Sequence, residues 1–280
     1  MPIDPALRSL DIDLPACPQV LVQLSLLMAD EDANAQSIAT LIETDMALAS
    51  AVVRSVNSAL FGLVRRVESV PEAVRYLGTR EVTALTFEIG LRGAFPPSPT
   101  LNALWARAGR RGLVMGRAAR VLDIDPWLAH TTGLFAESGQ AALIAHDAVG
   151  YQPLIDATPD ALSWLEAEQV SYGVNHATLG AALCRAWGLA AEVASGVRLR
   201  PLALRTLAAD DGGAALAPQW AGETFMVKRL LALGAAVDAA LEGVDAAGLA
   251  RCCALLASHS GLDAGRMHEA VAASVARLGD

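Results

Sequence analysis

Apolar residues recur along this chain at intervals of three and four, the spacing of one face of an α-helix. The pattern begins near the N-terminus, where Leu14–Pro18 is predicted to open the first helix, since proline suits a first helical turn. Asn34 and Asp45 stand where the N-caps of the next two helices are expected. Ser69 starts a Ser-x-x-Glu capping box, and Gly78 stands at the expected end of the helix that this box begins.

The helical periodicity continues to the C-terminus after a proline cluster at 96–99. Consecutive prolines cannot continue a helix, so we place the boundary between two lobes at this cluster. The pattern beyond it predicts helices over 101–122, 126–146, 159–172, 175–187, 224–241, 246–259 and 264–278. The segment from Arg200 to Gln219 contains two prolines and an Asp-Asp-Gly-Gly run, which together predict a mobile loop.

The composition also favours helices. The 280 residues are 54% hydrophobic, only 5% are aromatic, and alanine and leucine dominate. We therefore predict an all-α protein, built as a two-lobed helical bundle. We expect a single domain over 14–259, made of an N-terminal lobe (14–95) and a second lobe (100–259), followed by a C-terminal helix within 260–280.

Hydropathy and charge exclude several classes of protein. The mean hydropathy is +0.39, but acidic residues interrupt the longest apolar runs, as Asp238 does within 230–241, so no membrane span is predicted. The N-terminus lacks the basic-then-apolar order of a signal peptide, and the four cysteines have no metal-like spacing. We expect a cytoplasmic protein with free thiols. A net charge of −9 argues against a nucleic-acid partner.

The N-terminal lobe resembles the HDOD domain, the HD-related output domain of bacterial signalling proteins. The residues that carry the resemblance are Leu14, Pro15 and Pro18; Ile42, Asp45 and Leu48; Asn57-Ser58-Ala59 with Phe61-Gly62; and Ser69, Ala73 and Leu77-Gly78. Met46 stands where the family usually has a proline, which is a conservative change at a helix start. The resemblance implies an output module of the kind often attached to receiver or cyclic-nucleotide signalling domains.

The second lobe is similar, more loosely, to HD-type phosphohydrolases, whose histidines and aspartates hold catalytic metals. Arg107 stands in place of the first His, Ala136 and Glu137 in place of the His-Asp pair, His176 and Asp238 at later ligand positions, and Val197–Pro201 lacks the histidines of its segment. A fixed cation at Arg107 opposes a metal ion. The resemblance therefore implies lost ligands, and we expect no bound metal or cofactor and no hydrolytic activity. Arg107 is expected to pair with Glu137 instead.

Several polar residues have both a structural and a functional interpretation. Asn57 and Ser58 form either a recognition site or a polar hinge that satisfies backbone groups at a helix end, and we favour the hinge. Arg65 and Arg66 form either a contact for an anionic partner or ordinary surface. The cluster of Arg107, Arg110 and Arg111 is expected to be a solvated helix face that can attract a phosphate.

The histidines are interpreted as structural. His146-Asp147 is a literal His-Asp pair, but it stands at a helix end without a matching ligand, so we expect a capping or surface role. His176 is expected to start a helix with hydrogen-bonded neighbours. His130, His259 and His268 are expected to be surface or hydrogen-bonded residues.

The sequence therefore favours a non-enzymatic signalling module that binds other regulatory proteins of two-component or cyclic-nucleotide pathways. The candidate interaction or ligand residues are Asn57, Ser58, Phe61, Arg65, Arg66 and Arg110. One alternative is a degenerate metal-dependent phosphohydrolase with residual activity through Glu137, His176 and Asp238. Another is a sensor that binds a nucleotide or other small anion in the former active-site cavity, through Arg107, Arg110 or Arg200, without hydrolysis.

Overall fold

The computed structural model describes residues 12–28, 34–58, 65–157, 161–208 and 222–278, and every regular element in these ranges is an α-helix. In chain order they are α1 (Gln19–Met28), α2 (Ala35–Glu43), α3 (Met46–Val56), α4 (Val70–Leu77), α5 (Thr79–Gly93), α6 (Pro99–Ala119), α7 (Pro126–Phe135), α8 (Ser138–His146), α9 (Ala148–Asp156), α10 (Ala161–Tyr172), α11 (His176–Ala186), α12 (Ala191–Ala208), α13 (Phe225–Leu241), α14 (Ala246–Ser260) and α15 (Ala264–Ala276). The all-α prediction is confirmed. None of these helices is long and apolar enough to cross a bilayer.

Local side-chain caps define the helix starts that the sequence predicts. The Asn34 side chain accepts hydrogen bonds from the first turn of α2, and Asp45 Oδ1 accepts one from the Leu48 N–H at 3.0 Å. Ser69 caps α4. Gly78 ends α4 at φ = 87°, a conformation that a side chain with a Cβ rarely adopts, so the glycine is required at this junction with α5.

One hydrophobic core joins the two lobes. It combines buried residues of α1–α5 with buried residues of α6, α7, α8, α11 and α12. Phe87 of α5 packs edge-on against Trp127 of α7, with ring centroids 4.9 Å apart. The indole N–H of Trp187 donates to the Pro15 carbonyl at 2.9 Å, joining chain segments 172 residues apart. The N-terminal lobe is therefore completed by side chains from the second.

A second core lies at the other end of the long helix α6. It contains Val114 and Ala118 of α6, Leu230 and Leu233 of α13, and buried residues of α14 and α15. Helix α15 packs against both α6 and α14. Helix α6 therefore runs through both cores, and its middle portion, around residue 111, lies between them.

Three predicted boundaries are wrong. Residues 14–18 precede α1 instead of opening it. The predicted helix 126–146 is two helices, α7 and α8, separated at Ala136 and Glu137. The predicted loop 200–219 is helical as far as residue 208, since α12 continues through Pro201 and buries Ala203 and Thr206. The burial of this helix face outweighs the tendency of Pro201 to end a helix. Residues 209–219 lie outside the described ranges. Helix α9, which carries Pro153, was not predicted.

Candidate functional site

Helix α6 places two arginines one turn apart at the middle of the molecule. Arg107 and Arg111 are four residues apart and therefore share a face, and Arg110, next to Arg111 in the chain, is exposed. Arg107 is half exposed, with 48% of its side chain accessible, but the Arg111 side chain is only 7% accessible. The predicted solvated face therefore describes Arg107 and Arg110 and is wrong for Arg111.

Arg111 bridges two buried carboxylates. Its Nε lies 2.5 Å from Asp238 Oδ1 on α13, and its Nη2 lies 2.9 Å from Glu137 Oε1 at the α7–α8 junction. Both carboxylates are almost inaccessible, at 2% for Asp238 and 8% for Glu137. A buried carboxylate requires such a partner, because an unpaired charge in the protein interior carries a large desolvation cost.

Two further arginines complete the cluster. Arg107 Nη2 lies 3.2 Å from Glu137 Oε2, and Arg200 Nε lies 3.0 Å from Asp238 Oδ2. Each of the four carboxylate oxygens therefore faces one guanidinium. The predicted Arg107–Glu137 pair is confirmed. We call Arg107, Arg111, Arg200, Glu137 and Asp238 the arginine–carboxylate network.

The network keeps its buried groups charged. Burial by itself would raise the pKa of Glu137 and of Asp238, but Arg111 and then Arg200 lower both, so each pKa lies below its ordinary value. Burial would lower the pKa of Arg111, but Asp238 and Glu137 outweigh this effect and raise it. All three groups are therefore ionised at neutral pH.

Close helix packing positions Glu137. Gly139, in the first turn of α8, lies so close to α11 that a Cβ at this position would stand 1.9 Å from the His176 carbonyl oxygen and 2.5 Å from the Gly180 nitrogen. Only glycine allows this approach of the two backbones. The α8–α11 contact holds Glu137 at the start of α8, where it faces Arg111 and Arg107.

His176 belongs to a separate buried group beside the network. It begins α11, as predicted, and its backbone N–H and ring Nδ1 both lie within hydrogen-bond distance of Glu168 Oε2, at 2.8 and 2.7 Å. Glu168 is fully buried and also accepts a hydrogen bond from the Tyr151 hydroxyl. Neither Glu168 nor Tyr151 was predicted from the sequence, because neither occupies a family ligand position. Glu168 therefore fixes the orientation of the His176 ring.

A cavity of about 310 Å³ opens over the network. Its polar lining includes the network arginines and carboxylates together with Arg110, Gln140, His176 and Glu242. Its apolar lining is Trp164, Pro201, Leu204 and Leu241. The cavity therefore has a strongly charged floor and an apolar side. We call it the network cavity.

The residues at the positions that resemble HD metal ligands do not fit a metal ion. In the described part of the chain, no three His, Cys, Asp or Glu side chains are grouped so that they could hold one. Glu137 and Asp238 share Arg111, whose guanidinium lies between them, and Ala136 has no donor atom. A dication would have to displace a cation that is itself buried and paired. No catalytic step through a metal follows from this arrangement.

Asn57 has a structural role in the N-terminal lobe. Its Nδ2 donates to the carbonyls of Val53 (2.9 Å) and Val67 (2.8 Å), and its Oδ1 accepts from the Val67 N–H at 2.9 Å. These bonds tie the end of α3 to the segment before α4. Ser58 is exposed. The side chain of Asn57 is therefore fully used within the protein, as the hinge interpretation expected.

Of the remaining candidate interaction residues, only the adjacent pair Arg65 and Arg66 lies within the described ranges. Arg65 and Arg66 are exposed, and Phe61 lies outside the described residues. Asp147 caps α9 by accepting from the Gly150 N–H at 2.8 Å, and His146 is exposed at the end of α8, so the predicted capping or surface role of this pair is confirmed.

A second cavity, of about 620 Å³, lies at the seam between the lobes. It is lined by Ser58, Glu88, Trp105, Arg110 and His130, among others, so the structure brings Ser58 and Arg110 to one surface. His130 is buried, so the prediction of a surface position is wrong for it, and its Nε2 has no hydrogen-bond partner among the described residues. Burial lowers the pKa of His130 to about 4 and raises that of Glu88 to about 7.

Comparisons with known proteins match this fold. The family model of the HDOD domain matches residues 14–200. A candidate phosphohydrolase from Shewanella amazonensis SB2B is 19% identical, with a TM-score of 0.69 over 98% of this chain and 96% of that one. An HDOD domain protein of unknown function from Geobacter sulfurreducens is 17% identical, with a TM-score of 0.66 over 98% and 95% of the two chains. At these identities the likeness shows the shared fold.

Two further relatives are longer than this chain. A candidate signal transduction protein from Marinobacter aquaeolei VT8 is 20% identical, with a TM-score of 0.68 over 98% of this chain and 64% of that one. An uncharacterized protein from Treponema pallidum (strain Nichols) is 28% identical over 200 residues, which is 66% of this chain and 37% of the relative. The family match covers more than half of the sequence, and the helical fold agrees with it, so this chain belongs to the HDOD domain family.

Proposed function

We propose that this chain is a non-enzymatic signalling module that acts by binding other regulatory proteins. The observation that carries the proposal is the guanidinium of Arg111, which lies between Glu137 and Asp238 at 2.9 and 2.5 Å. A hydrolytic HD-type site would need these positions for metal ligands. Here they form an internal ion-pair network, so the site stabilises the fold instead of activating water.

The chemistry of metal-assisted hydrolysis explains why this change matters. A metal must be held by about three protein ligands, with an open position, before its bound water loses a proton near neutral pH. Arginine stays protonated in proteins and has no lone pair to offer. His176 does not restore the site by itself. Its Nδ1 lies 2.7 Å from Glu168, an arrangement that also occurs in metal-bound histidines, but one imidazole is fewer than the roughly three protein ligands that such a metal needs. The residual-hydrolase alternative is therefore the weaker one.

Exposed apolar residues of the N-terminal lobe support a role in protein binding. Large hydrophobic side chains are exposed there at Met46 (82%), Leu26 (69%), Tyr76 (54%) and Val22 (40%). Val22 and Leu26 are four residues apart on α1 and share a face. The Marinobacter relative, described as a candidate signal transduction protein, is consistent with signalling as the cellular role. The free cysteines agree with a reducing, cytoplasmic compartment.

The absence of catalysis is tested on the purified protein. We expect no stoichiometric metal in elemental analysis, and no hydrolysis of bis(p-nitrophenyl) phosphate with Mg²⁺, Mn²⁺ or Fe²⁺. Metal-dependent turnover that is lost in His176→Ala or Glu137→Gln would contradict the proposal.

The binding role is tested by capture of partners from a lysate of the native host. Leu26→Glu should lose partners that the unchanged protein captures, because it places a charge on the exposed α1 face. Val170→Glu is the matched control, since Val170 is 87% exposed on α10 in the second lobe. Both variants should keep the unfolding temperature of the parent. Equal capture by both variants would exclude the α1 face as the binding surface.

A further inference from the structure

The network cavity offers more hydrogen-bond donors than its own acceptors can use. The four oxygens of Glu137 and Asp238 are each already paired with a guanidinium nitrogen. Arg107 uses only Nη2 in these contacts, and Arg200 uses only Nε. Their remaining N–H groups are available to a ligand, because each arginine carries five donors.

Arg110 adds a complete guanidinium group to these unused hydrogen-bond donors. It is exposed, it lines the network cavity, and it makes no hydrogen bond or ion pair with any described residue. The carboxylates of Glu137 and Asp238 are already paired with the other arginines, and Arg110 forms no ion pair with Glu242, the third carboxylate of the lining. The ligand that complements such a lining is an acceptor of hydrogen bonds, and an anion is favoured over a neutral molecule.

The net charge of the cavity lining is positive, which also favours an anionic ligand. Four arginines line the cavity against three carboxylates, those of Glu137, Asp238 and Glu242, which leaves a positive excess. This excess occurs in a protein whose net charge is −9, so the cavity is a local exception in an acidic molecule. Low-dielectric walls strengthen the attraction of such a site for an anion.

The size and apolar side of the cavity indicate more than a free inorganic ion. Its volume of about 310 Å³ is within the range of small-molecule sites. Trp164, Leu204 and Leu241 form an apolar wall, and the indole N–H of Trp164 is buried without a partner among the described residues. An organic group can pack on this wall while its anionic end faces the arginines.

We propose that the network cavity binds a small phosphate monoester, with Arg107, Arg110 and Arg200 contacting the phosphate and the Trp164 side contacting the organic group. The planar guanidinium matches two phosphate oxygens at once, which distinguishes it from a simple point charge. The buried Arg111 does not contact the ligand in this arrangement; it holds Glu137 and Asp238 so that the other arginines keep free donors. This site is independent of the protein-binding role proposed above.

The test uses phenyl phosphate as the probe, with isothermal titration calorimetry on the full chain. Saturable binding is expected, at least tenfold tighter than that of inorganic phosphate, whereas benzyl alcohol should not bind. Absence of saturable phenyl phosphate binding would overturn the proposal, and equal affinity for inorganic phosphate would remove the organic subsite.

Variants locate the site. Arg110→Gln should weaken binding about tenfold, the loss of one charge-assisted contact, without changing the unfolding temperature. Leu204→Trp should abolish binding by filling the network cavity at unchanged charge. Arg92→Gln is the matched control, because Arg92 is exposed and lines the seam cavity, which Arg110 also lines, but not the network cavity. If Arg92→Gln weakens binding as much as Arg110→Gln while Leu204→Trp does not, the ligand lies at the seam and the proposal is wrong.

The calorimetric titrations also distinguish a failure of the binding-site proposal from a failure of the proposed non-enzymatic function. Release of phenol during the experiment would show hydrolysis and contradict the non-enzymatic role, while leaving the binding site in place. Loss of partner capture in Leu26→Glu would have no bearing on phenyl phosphate affinity.

Discussion

At the scale of single residues, Arg111 is the side chain that joins the two buried carboxylates at the centre of the molecule. It is flanked by two neighbours of the same type, Arg107 and Arg110, yet only Arg111 is buried. Its helix position points it toward Asp238, which is 127 residues away in the chain, and toward Glu137. A charged residue in this position is stabilising only while its partners are present.

Replacing Arg111 with methionine should lower the free energy of unfolding by about 3 kcal/mol, because it leaves two buried carboxylates underpaired. Chemical denaturation at pH 7 measures the change. Arg110→Gln is the control and should stay within about 0.5 kcal/mol, since Arg110 is exposed and unpaired.

The Arg111 effect should also depend on pH. The pKa values of Glu137 and Asp238 lie below their ordinary values, so the ion pairs contribute stability above about pH 4 and lose it as the pH falls further. The difference between Arg111→Met and the parent should therefore shrink in acid. A difference that stays constant down to the limit of folding would show that packing, and not charge, is responsible.

Glu88 should make the protein less stable as the pH rises. Burial raises its pKa to about 7 from 4.5, so the folded state binds more protons than the unfolded state between these values. Stability is therefore lost as the pH rises through 7. Glu88→Gln should remove this dependence and be more stable than the parent at pH 8 by on the order of 2 kcal/mol, while the two converge near pH 5.

Denaturation curves of both proteins between pH 5 and 9 isolate this effect as the difference between them. His130, whose pKa burial lowers from 6.5 to about 4, adds an opposite pH dependence below about pH 7, but it is present in both proteins and cancels in the comparison. Glu166→Gln is the matched control, since Glu166 is exposed on α10 and should leave the pH dependence unchanged. Parallel curves for Glu88→Gln and the parent would mean that Glu88 is fully ionised in the fold.

At the scale of elements, the α8–α11 contact requires the glycine at 139. Gly139→Ala should lower the free energy of unfolding by about 3 kcal/mol, because its Cβ would overlap backbone atoms of α11 that cannot move alone. Gly234→Ala is the control: its Cβ would meet only the Met115 side chain at 3.5 Å, an ordinary contact. That variant should be neutral or more stable by up to about 1 kcal/mol, as helix propensity favours alanine. Thermal unfolding compares the two.

The link between α3 and α4 depends on Asn57. Asn57→Ala removes three hydrogen bonds and leaves the backbone of the buried Val67 without partners, at a cost of about 2 kcal/mol. Ser58→Ala should change stability by less than about 0.5 kcal/mol, because Ser58 is exposed. Denaturant titration measures both. If Asn57→Ala is as stable as the parent, the hinge interpretation is wrong and a recognition role for Asn57 becomes the better one.

At the scale of the whole molecule, the lobe boundary does not divide the hydrophobic core. Residues of α1–α5 share one core with α6, α8 and α11, and the Trp187–Pro15 hydrogen bond links the second lobe to the start of the N-terminal lobe. A fragment ending at residue 95 should therefore fail to fold, because Leu21, Phe87 and their neighbours would lose their second-lobe partners. Near-ultraviolet circular dichroism and denaturation of the fragment check this. A cooperative transition in the fragment would show that the N-terminal lobe is an independent unit.

Much of the architecture is local in origin and is therefore readable from the sequence. The caps at Asn34, Asp45 and Ser69 and the helix end at Gly78 each depend on bonds or backbone angles within a few residues. Helical periodicity requires only that one face be apolar. The family resemblance identified Glu137, His176 and Asp238 as neighbours of one site, and all three line the network cavity.

The sequence by itself determined that this chain is helical, where most helices begin, and that it belongs to the HDOD domain family. Only the tertiary structure decided which arginine is buried, because Arg107, Arg110 and Arg111 differ in burial through packing against α7, α8 and α13. It also decided that α12 continues past Pro201 and that Glu168 holds His176. Burial and ion pairing depend on segments that are far apart in the chain, and the local sequence pattern does not specify the distances between those segments.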